Sequence, residues 1–227
     1  MKNIYCLLIV SFLCIFSLLP AGAQTLSEKD FQVLNMNDGL SDNDIHSVAK
    51  DTEGFMWFGT GSGLNRYDGR TFKVFRMPGI SYRRIDRVVS LDTDYLLLRS
   101  EQNLFLFDKK YERFLPVCDS VSKQPVMFAD FVADSHGSCW GVSSGELSEV
   151  NFPSSFVQDT AFVSVRHVVN NSQSDPFVVL CMGEDGKMLY CASRNGTVYR
   201  FTPGQRQLKK VCDGQLSSGR WVSSLLN

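Results

Sequence analysis

Apolar and polar residues alternate along this chain in short runs, and glycine or aspartate ends most of them. The clearest case is Ile45 to Phe75, IHSVAKDTEGFMWFGTGSGLNRYDGRTFKVF. Ile45 to Lys50 alternates and gives way to DTEG. Phe55 to Thr60 is aromatic-rich and gives way to GSG. Leu64 to Tyr67 gives way to DGR, and Thr71 to Phe75 alternates again. Short runs of period two, bounded by residues that turn easily, predict strands joined by hairpins. This stretch therefore predicts four short antiparallel strands.

The same layout recurs at 85–117, 128–162 and 177–211. Gly63, Asn103, Gly145 and Gly196 hold the second turn of successive units, 40, 42 and 51 residues apart. Trp57 aligns with Leu97, Trp140 and Leu189. The longer third interval falls on Asn151 to Asp175, a polar stretch that reads as an inserted loop. A period near 40 with four strands per unit is the signature of a β-propeller. A four-stranded unit cannot bury both faces alone, so units stack about an axis with bulky residues between them.

The expected fold is all-β: a β-propeller of four-stranded blades, incomplete, with about four blades plus a partial fifth. The blades are expected at about 45–76, 85–117, 128–165 and 177–212, with a fragment at 214–227. Trp57, Trp140, Phe58, Phe72, Phe105 and Phe114 are the expected blade-to-blade core. Within 24–44, Phe31 to Met36 is expected to form the outer strand of a closing blade.

The glycine-rich centre GTGSG (Gly59 to Gly63) raises a phosphate cradle as an alternative. Such a cradle needs a turn that feeds a helix N-terminus, usually with Lys-Ser/Thr. Here a strand, Leu64 to Tyr67, and a second turn follow, with no Lys-Ser/Thr pair. The hairpin reading is preferred, and no cofactor is expected.

Gly39-Leu40-Ser41, Asp51, Gly54, Trp57, Gly59-Thr60, Gly63-Leu64, Arg66-Tyr67-Asp68-Gly69 and Phe72 together resemble the two-component regulator propeller repeat. That pattern runs G-L-S, a short strand, D-x-x-G-x-x-W-x-G-T, then G-L-x-R-Y-D-G and an aromatic. The second unit lacks the Trp and both turn glycines. The third keeps Asp134, Gly137 and Trp140, and the fourth keeps Asp185-Gly186. The resemblance implies the periplasmic sensor region of a hybrid two-component system histidine kinase of Bacteroidetes. In such proteins a signal peptide leads into propellers, a membrane helix, a kinase, a receiver and a DNA-binding domain. Many are thought to sense oligosaccharides. No kinase or receiver follows in this sequence, so the chain is read as the N-terminal fragment of a longer protein or a truncated product.

The N-terminus agrees with export. Lys2 precedes an apolar run of 16 residues, Ile4 to Leu19, and Ala21-Gly22-Ala23 closes it. These are the parts of a secretory signal peptide, 1–23, cleaved between Ala23 and Gln24. The run is short of the roughly 20 residues of a spanning helix. Cleavage would remove Lys2 and shift the net charge from -1 to -2. The expected location is periplasmic, with the parent protein anchored in the inner membrane.

Charge and chemistry narrow the function. The chain has 23 basic and 24 acidic residues and no basic stripe, so no nucleic-acid partner is expected. Cys118, Cys139, Cys181, Cys191 and Cys212 show no C-x-x-C spacing and are expected as small buried residues, although one pair could be oxidised in a periplasm. His46, His136 and His167 stand apart from one another and from cysteine, so no metal site is expected. Asp42 with Asp44 and Asp92 with Asp94 sit in turns, where Asp caps backbone N–H groups. No nucleophile elbow is present, and no catalytic residue is expected.

Propeller ligands usually meet the face where blades connect and middle hairpins turn. On that basis the candidate ligand-binding residues are Asp42, Asn43, Thr60, Ser62, Tyr82, Arg83 and Arg84. An aromatic ring and arginine beside Asn and Asp suit a sugar or an acidic sugar. A solvated surface pair at Arg83-Arg84 is the plainer reading of those two. The expected partners are a small-molecule or glycan ligand, the remaining blades and domains of the parent and, as an open option, a second copy of the chain. The alternative functions are a propeller-type polysaccharide lyase or hydrolase, and a non-functional remnant.

Overall fold

The structure is a computed structural model. It describes residues 31–79, 84–91, 94–133, 139–153, 156, 159–170, 175–183 and 187–214. The expected signal peptide and its cleavage point, the turn residues Asp134 and Gly137, and the fragment after Gly214 lie outside the described residues.

Among the described residues, sixteen strands form four consecutive antiparallel sets of four. The first set is β1 (Ile45–Lys50), β2 (Met56–Thr60), β3 (Gly63–Tyr67) and β4 (Phe72–Phe75). The second is β5 (Arg87–Ser90), β6 (Tyr95–Ser100), β7 (Asn103–Asp108) and β8 (Arg113–Asp119). The third is β9 (Asp130–Ala133), β10 (Cys139–Ser143), β11 (Glu146–Asn151) and β12 (Ala161–Asn170). The fourth is β13 (Phe177–Met182), β14 (Leu189–Ser193), β15 (Val198–Thr202) and β16 (Gln207–Cys212). Each set is a blade of an all-β propeller. The GTGSG centre is the β2–β3 hairpin, with Thr60 opposite Gly63 and no helix after it.

The turns owe their shape to aspartate. Asp51 Oδ1 accepts the backbone N–H of Glu53 and Phe55 at 3.0 and 2.9 Å, and Oδ2 accepts the Trp57 indole Nε1–H at 2.8 Å. Asp68 accepts the amides of Arg70 and Thr71 at 2.8 and 2.7 Å. Asp108 repeats this in blade 2, accepting from Lys110 and Tyr111. Short side chains that satisfy nearby N–H groups let the chain reverse without water reaching the sheet. Gly63 has a φ of +132°, and a Cβ there would lie 2.6 Å from the carbonyl oxygen of Phe75.

Burial follows the two-residue period. Trp57, Leu64 and Phe75 share one face of blade 1 and pack with Val88, Leu96, Leu98 and Phe107 of blade 2. The Phe107 ring lies 5.6 Å from that of Trp57 and 4.8 Å from that of Phe75. Phe105 and Phe114 pack half-buried on the same cluster. Phe58 and Phe72, also expected between blades, lie on the opposite face of blade 1, with Tyr67, and so do not join the seam with blade 2. Their position one residue from Trp57 and three from Phe75 puts them on that face. Trp140 joins Leu189, Cys191 and Phe201 between blades 3 and 4. Gly59 fits the seam of blades 1 and 2 so closely that a Cβ would meet the Ile85 carbonyl oxygen at 2.6 Å.

The stretch read as an inserted loop, Asn151 to Asp175, contains β12, the longest strand of the described residues. Its second half pairs antiparallel with β11, and its first three residues, Ala161 to Val163, pair parallel with β8 of blade 2. Blades 2 and 3 thereby form one eight-stranded sheet, β5-β6-β7-β8-β12-β11-β10-β9. Val117, Ala161, Val163 and Phe131 fill the space between these blades. Phe31 to Met36 was expected as a strand. It carries none: 31–35 is irregular, and Met36–Asp38 is a 3-10 turn capped by Asn35. Cys118, Cys139, Cys181, Cys191 and Cys212 are not joined in disulfides. Cys139 and Cys191 are buried as expected, whereas Cys212 is exposed on the outer strand of blade 4.

Candidate functional site

Blade-to-blade connections and middle hairpins meet at one end of the propeller. Ile85 N–H donates to the Thr60 carbonyl, Leu104 N–H to that of Val126, and Arg194 N–H to that of Pro176. Each bond ties a connection to the hairpin of a neighbouring blade. Two groups of polar residues stand on this end.

The first is the set around Asp42. Its carboxylate accepts the Ser62 hydroxyl at 2.9 Å and the Asp44 amide at 3.0 Å. The Asp44 amide and the Ser62 hydroxyl hold this carboxyl below the usual carboxylate range. Thr60 is fully buried and donates to the Gly63 carbonyl at 3.0 Å. Ser41 joins Thr60 and Asn65, so the G-L-S segment is stitched to the hairpin. Asn43 accepts the Met36 amide at 3.0 Å. Arg84 pairs with Asp86 at 2.5 Å. Asp42, Thr60 and Ser62 thus come together in a network that shapes the first hairpin. Asn43 and Arg84 are engaged elsewhere, and Tyr82 and Arg83 lie outside the described residues.

The second group lines a cavity of about 290 Å³ between the connection from blade 2 to blade 3 and the β10–β11 hairpin. The cavity's polar groups include Asp119, Gln124, Glu146, Ser148 and His167, and Pro125, Val126 and Phe128 give it an apolar part. The connection is held as a rigid wall. Val126 N–H donates to the Val117 carbonyl, Phe128 N–H to that of Gln102 and Ala129 N–H to that of Val142. Phe128 is buried, and its ring occupies the space a side chain at Gly141 would fill.

His167 Nδ1 lies 3.0 Å from Ser148 Oγ and 3.0 Å from Glu146 Oε2. Both partners use the same ring nitrogen. A Ser-His-carboxylate relay needs the nucleophile and the acid on opposite nitrogens, so this trio cannot activate Ser148. It instead sets a carboxylate, an imidazole and a hydroxyl side by side in the cavity lining, with Ser148 itself buried.

This wall continues into the propeller axis. Asp130, 7% exposed, follows Ala129 on the innermost strand of blade 3. Its Oδ1 lies 2.8 Å from Arg87 of blade 2, and its Oδ2 accepts the Leu180 amide of blade 4 at 2.9 Å. Arg99 donates to the Ala129 carbonyl and lies 4.0 Å from Asp130. Burial pushes the Arg99 guanidinium down, and Asp130 and Asp86 act against that. Two residues after the cavity wall, one carboxylate therefore touches three blades.

The cavity residues were not singled out from sequence, although the face was. Applying the same rule to the second and third units would have reached 119–128 and Ser144-Gly145. No sequence pattern paired His167 with Glu146, because the sequence left His167 in a loop or strand with no assigned neighbour.

Residues 39–62 match the family model described as two component regulator propeller. The match covers one repeat of the chain. Histidine kinase P4 of Formosa agariphila is 37% identical over 78 residues, which are 34% of this chain and 5% of that protein. In three dimensions the chain is similar to the extracellular domain of the hybrid two component system BT3049 from B. thetaiotaomicron. The TM-score is 0.58 at 17% identity, over 80% of this chain and 26% of that domain. PorZ of Porphyromonas gingivalis, a surface component of the type-IX secretion system, gives 0.54 at 13% identity, over 84% of this chain and 29% of PorZ. Virginiamycin B lyase from Staphylococcus aureus gives 0.53 at 10%, over 83% of this chain and 60% of the lyase. At these identities the structural likeness establishes the propeller fold.

Proposed function

We propose that this two-component regulator propeller is an extracytoplasmic sensor module that binds an oligosaccharide. Binding is relayed to a histidine kinase in the intact signalling protein. The chain itself binds and does not catalyse. The observation that carries the reading is the cavity between blades 2 and 3. Glu146, His167, Ser148 and Gln124 offer donors and acceptors suited to sugar hydroxyls, beside the apolar Pro125 and Val126. Kinship over 78 residues with a histidine kinase and the signal-like N-terminus support export and signalling.

Sensing requires that the ligand prefer one of two states. Residues 125–128 form the cavity wall and lead directly into Asp130, which bonds to blades 2 and 4. A ligand that shifts this wall changes the packing of three blades. The test is a thermal-shift screen of the purified chain against an oligosaccharide library, repeated with His167→Ala and Gln124→Ala. A stabilising glycan whose effect is lost in both variants supports the reading. A library that shifts nothing, confirmed by calorimetry, overturns it.

A further inference from the structure

Among the described residues, the lining of the cavity carries two carboxylates and no lysine or arginine. Asp119 ends β8 and Glu146 begins β11. The remaining polar lining is hydroxyl, amide and imidazole, and among the described residues neither lysine nor arginine lines the cavity. Neighbouring basic side chains are occupied elsewhere. Lys123 places its Nζ 4.6 Å from the centre of the Phe162 ring, Arg166 pairs with Glu149, and Arg99 holds the Ala129 carbonyl. Residues 171–174, which follow β12, are Asn-Ser-Gln-Ser and bring no charge.

Both carboxylates are engaged. The Ser122 amide donates to Asp119 Oδ2 at 2.8 Å, and Ser122 holds the Asp119 carboxyl below the usual range. Glu146 meets His167 through Oε2 and accepts Asn170 Nδ2 at 3.3 Å through Oε1. A carboxylate oxygen accepts more than one hydrogen bond, so capacity remains for a ligand's donors.

We infer that the cavity takes a neutral or amine-bearing sugar and excludes sugars carrying carboxylate or sulfate groups. This rests on the oligosaccharide-sensing reading above and names the ligand class. A sugar hydroxyl donating to a carboxylate makes a charge-assisted bond, stronger than one between neutral groups. An ammonium gains Coulomb attraction in addition. An acidic sugar would give up its hydration beside two like charges, with no lysine or arginine in the described lining to receive it. Specificity here works by repulsion as much as by attraction.

The experiment is a calorimetric titration of the full chain with neutral, amine-bearing and acidic oligosaccharides. It includes tetramers of N-acetylglucosamine, glucosamine and galacturonic acid at low and moderate salt. The expected result is that neutral or amine-bearing members bind at least about tenfold more tightly than acidic ones. Any advantage of the glucosamine tetramer over its acetylated form shrinks as salt rises. Glu146→Gln narrows the gap between the glucosamine and galacturonate tetramers. Comparing ligands on the unaltered chain settles the matter even where that variant folds poorly. Acidic sugars binding as tightly as neutral ones overturns the exclusion and leaves the sensing reading standing. No binding by any member of the panel overturns both.

Discussion

The Trp57 indole Nε1–H donates to Asp51 Oδ2 at 2.8 Å, joining the first and last letters of D-x-x-G-x-x-W across the turn they enclose. Asp51 is fully buried at its side chain, and Lys109 of blade 2 approaches the same oxygen at 3.5 Å. The motif therefore fixes a turn and a blade junction at once. Asp51→Ala strands a buried indole N–H and takes from the Lys109 ammonium, whose side chain is only 7% exposed, the nearer of two carboxylates, leaving Glu53 at 3.9 Å. The expected loss is about 3 kcal/mol, read as a lower urea midpoint at unchanged m-value.

The same aspartate makes stability sensitive to acid. Burial pushes the Asp51 carboxyl up, but the Trp57 N–H, the Lys109 ammonium and the Phe55 and Glu53 amides outweigh it and hold it below its ordinary value of 3.8. A depressed folded value means the contribution is complete well above 3.8 and is lost as pH falls through the folded value. Denaturation midpoints measured between pH 7 and pH 3 are expected to fall in acid. Asp51→Asn is expected to flatten part of that slope. An unchanged slope in the variant would remove Asp51 from the account.

Two glycines of the repeat are required for different reasons. A Cβ at Gly59 would meet the Ile85 backbone oxygen at 2.6 Å, whereas Gly69 faces open space but has a φ of +96°. Gly59→Ala is expected to cost about 2–3 kcal/mol by forcing blades 1 and 2 apart. Gly69→Ala is expected to cost about 1 kcal/mol through backbone conformation alone. Asn tolerates positive φ better than Ala, so Gly69→Asn should recover part of the loss while Gly59→Asn should be worse than Gly59→Ala. Chemical denaturation of the four variants separates the two causes.

Asp130 is the electrostatic centre of blades 2 to 4. Asp130→Ala leaves Arg87 and Arg99 without their shared carboxylate and the Leu180 amide without its acceptor. A loss of about 3–5 kcal/mol is expected. Asp130→Asn keeps an oxygen for Leu180 and should fall between this and the unaltered chain. A double-mutant cycle with Arg87→Ala should give a coupling of about 1 kcal/mol, modest because Arg87 is partly exposed. Additive single effects would show that the pair does not couple.

Phenylalanines of blade 1 should divide by face. Phe75 is 7% exposed and stacks on Trp57 at 5.8 Å, whereas Phe58 lies half-buried on the other side of the sheet. Phe75→Ala is expected to cost about 3–4 kcal/mol and Phe58→Ala about half of that. Equal losses in thermal and urea melts would contradict the facial assignment.

Much of this molecule was present in the order of its residues. Alternation predicts strands because side chains point to opposite faces at every step. Asp and Gly mark turns because they satisfy or permit unusual backbone locally. Those effects act over a few residues, so most of the strand layout, the four units and the D-x-x-G-x-x-W turn could be read from the sequence, but not the full course of β12. Tertiary structure decided what depends on partners distant in the chain. Whether Phe58 or Phe75 faces the next blade was settled by packing against Phe107. Ala161 to Val163 became strand because β8 offers them an edge to pair with. The cavity exists because β12, once formed, brings His167 to Glu146 and Ser148 beside the connection from blade 2. Local propensity carries no information about such a meeting. Only burial and hydrogen-bond completion across the assembled sheet select it.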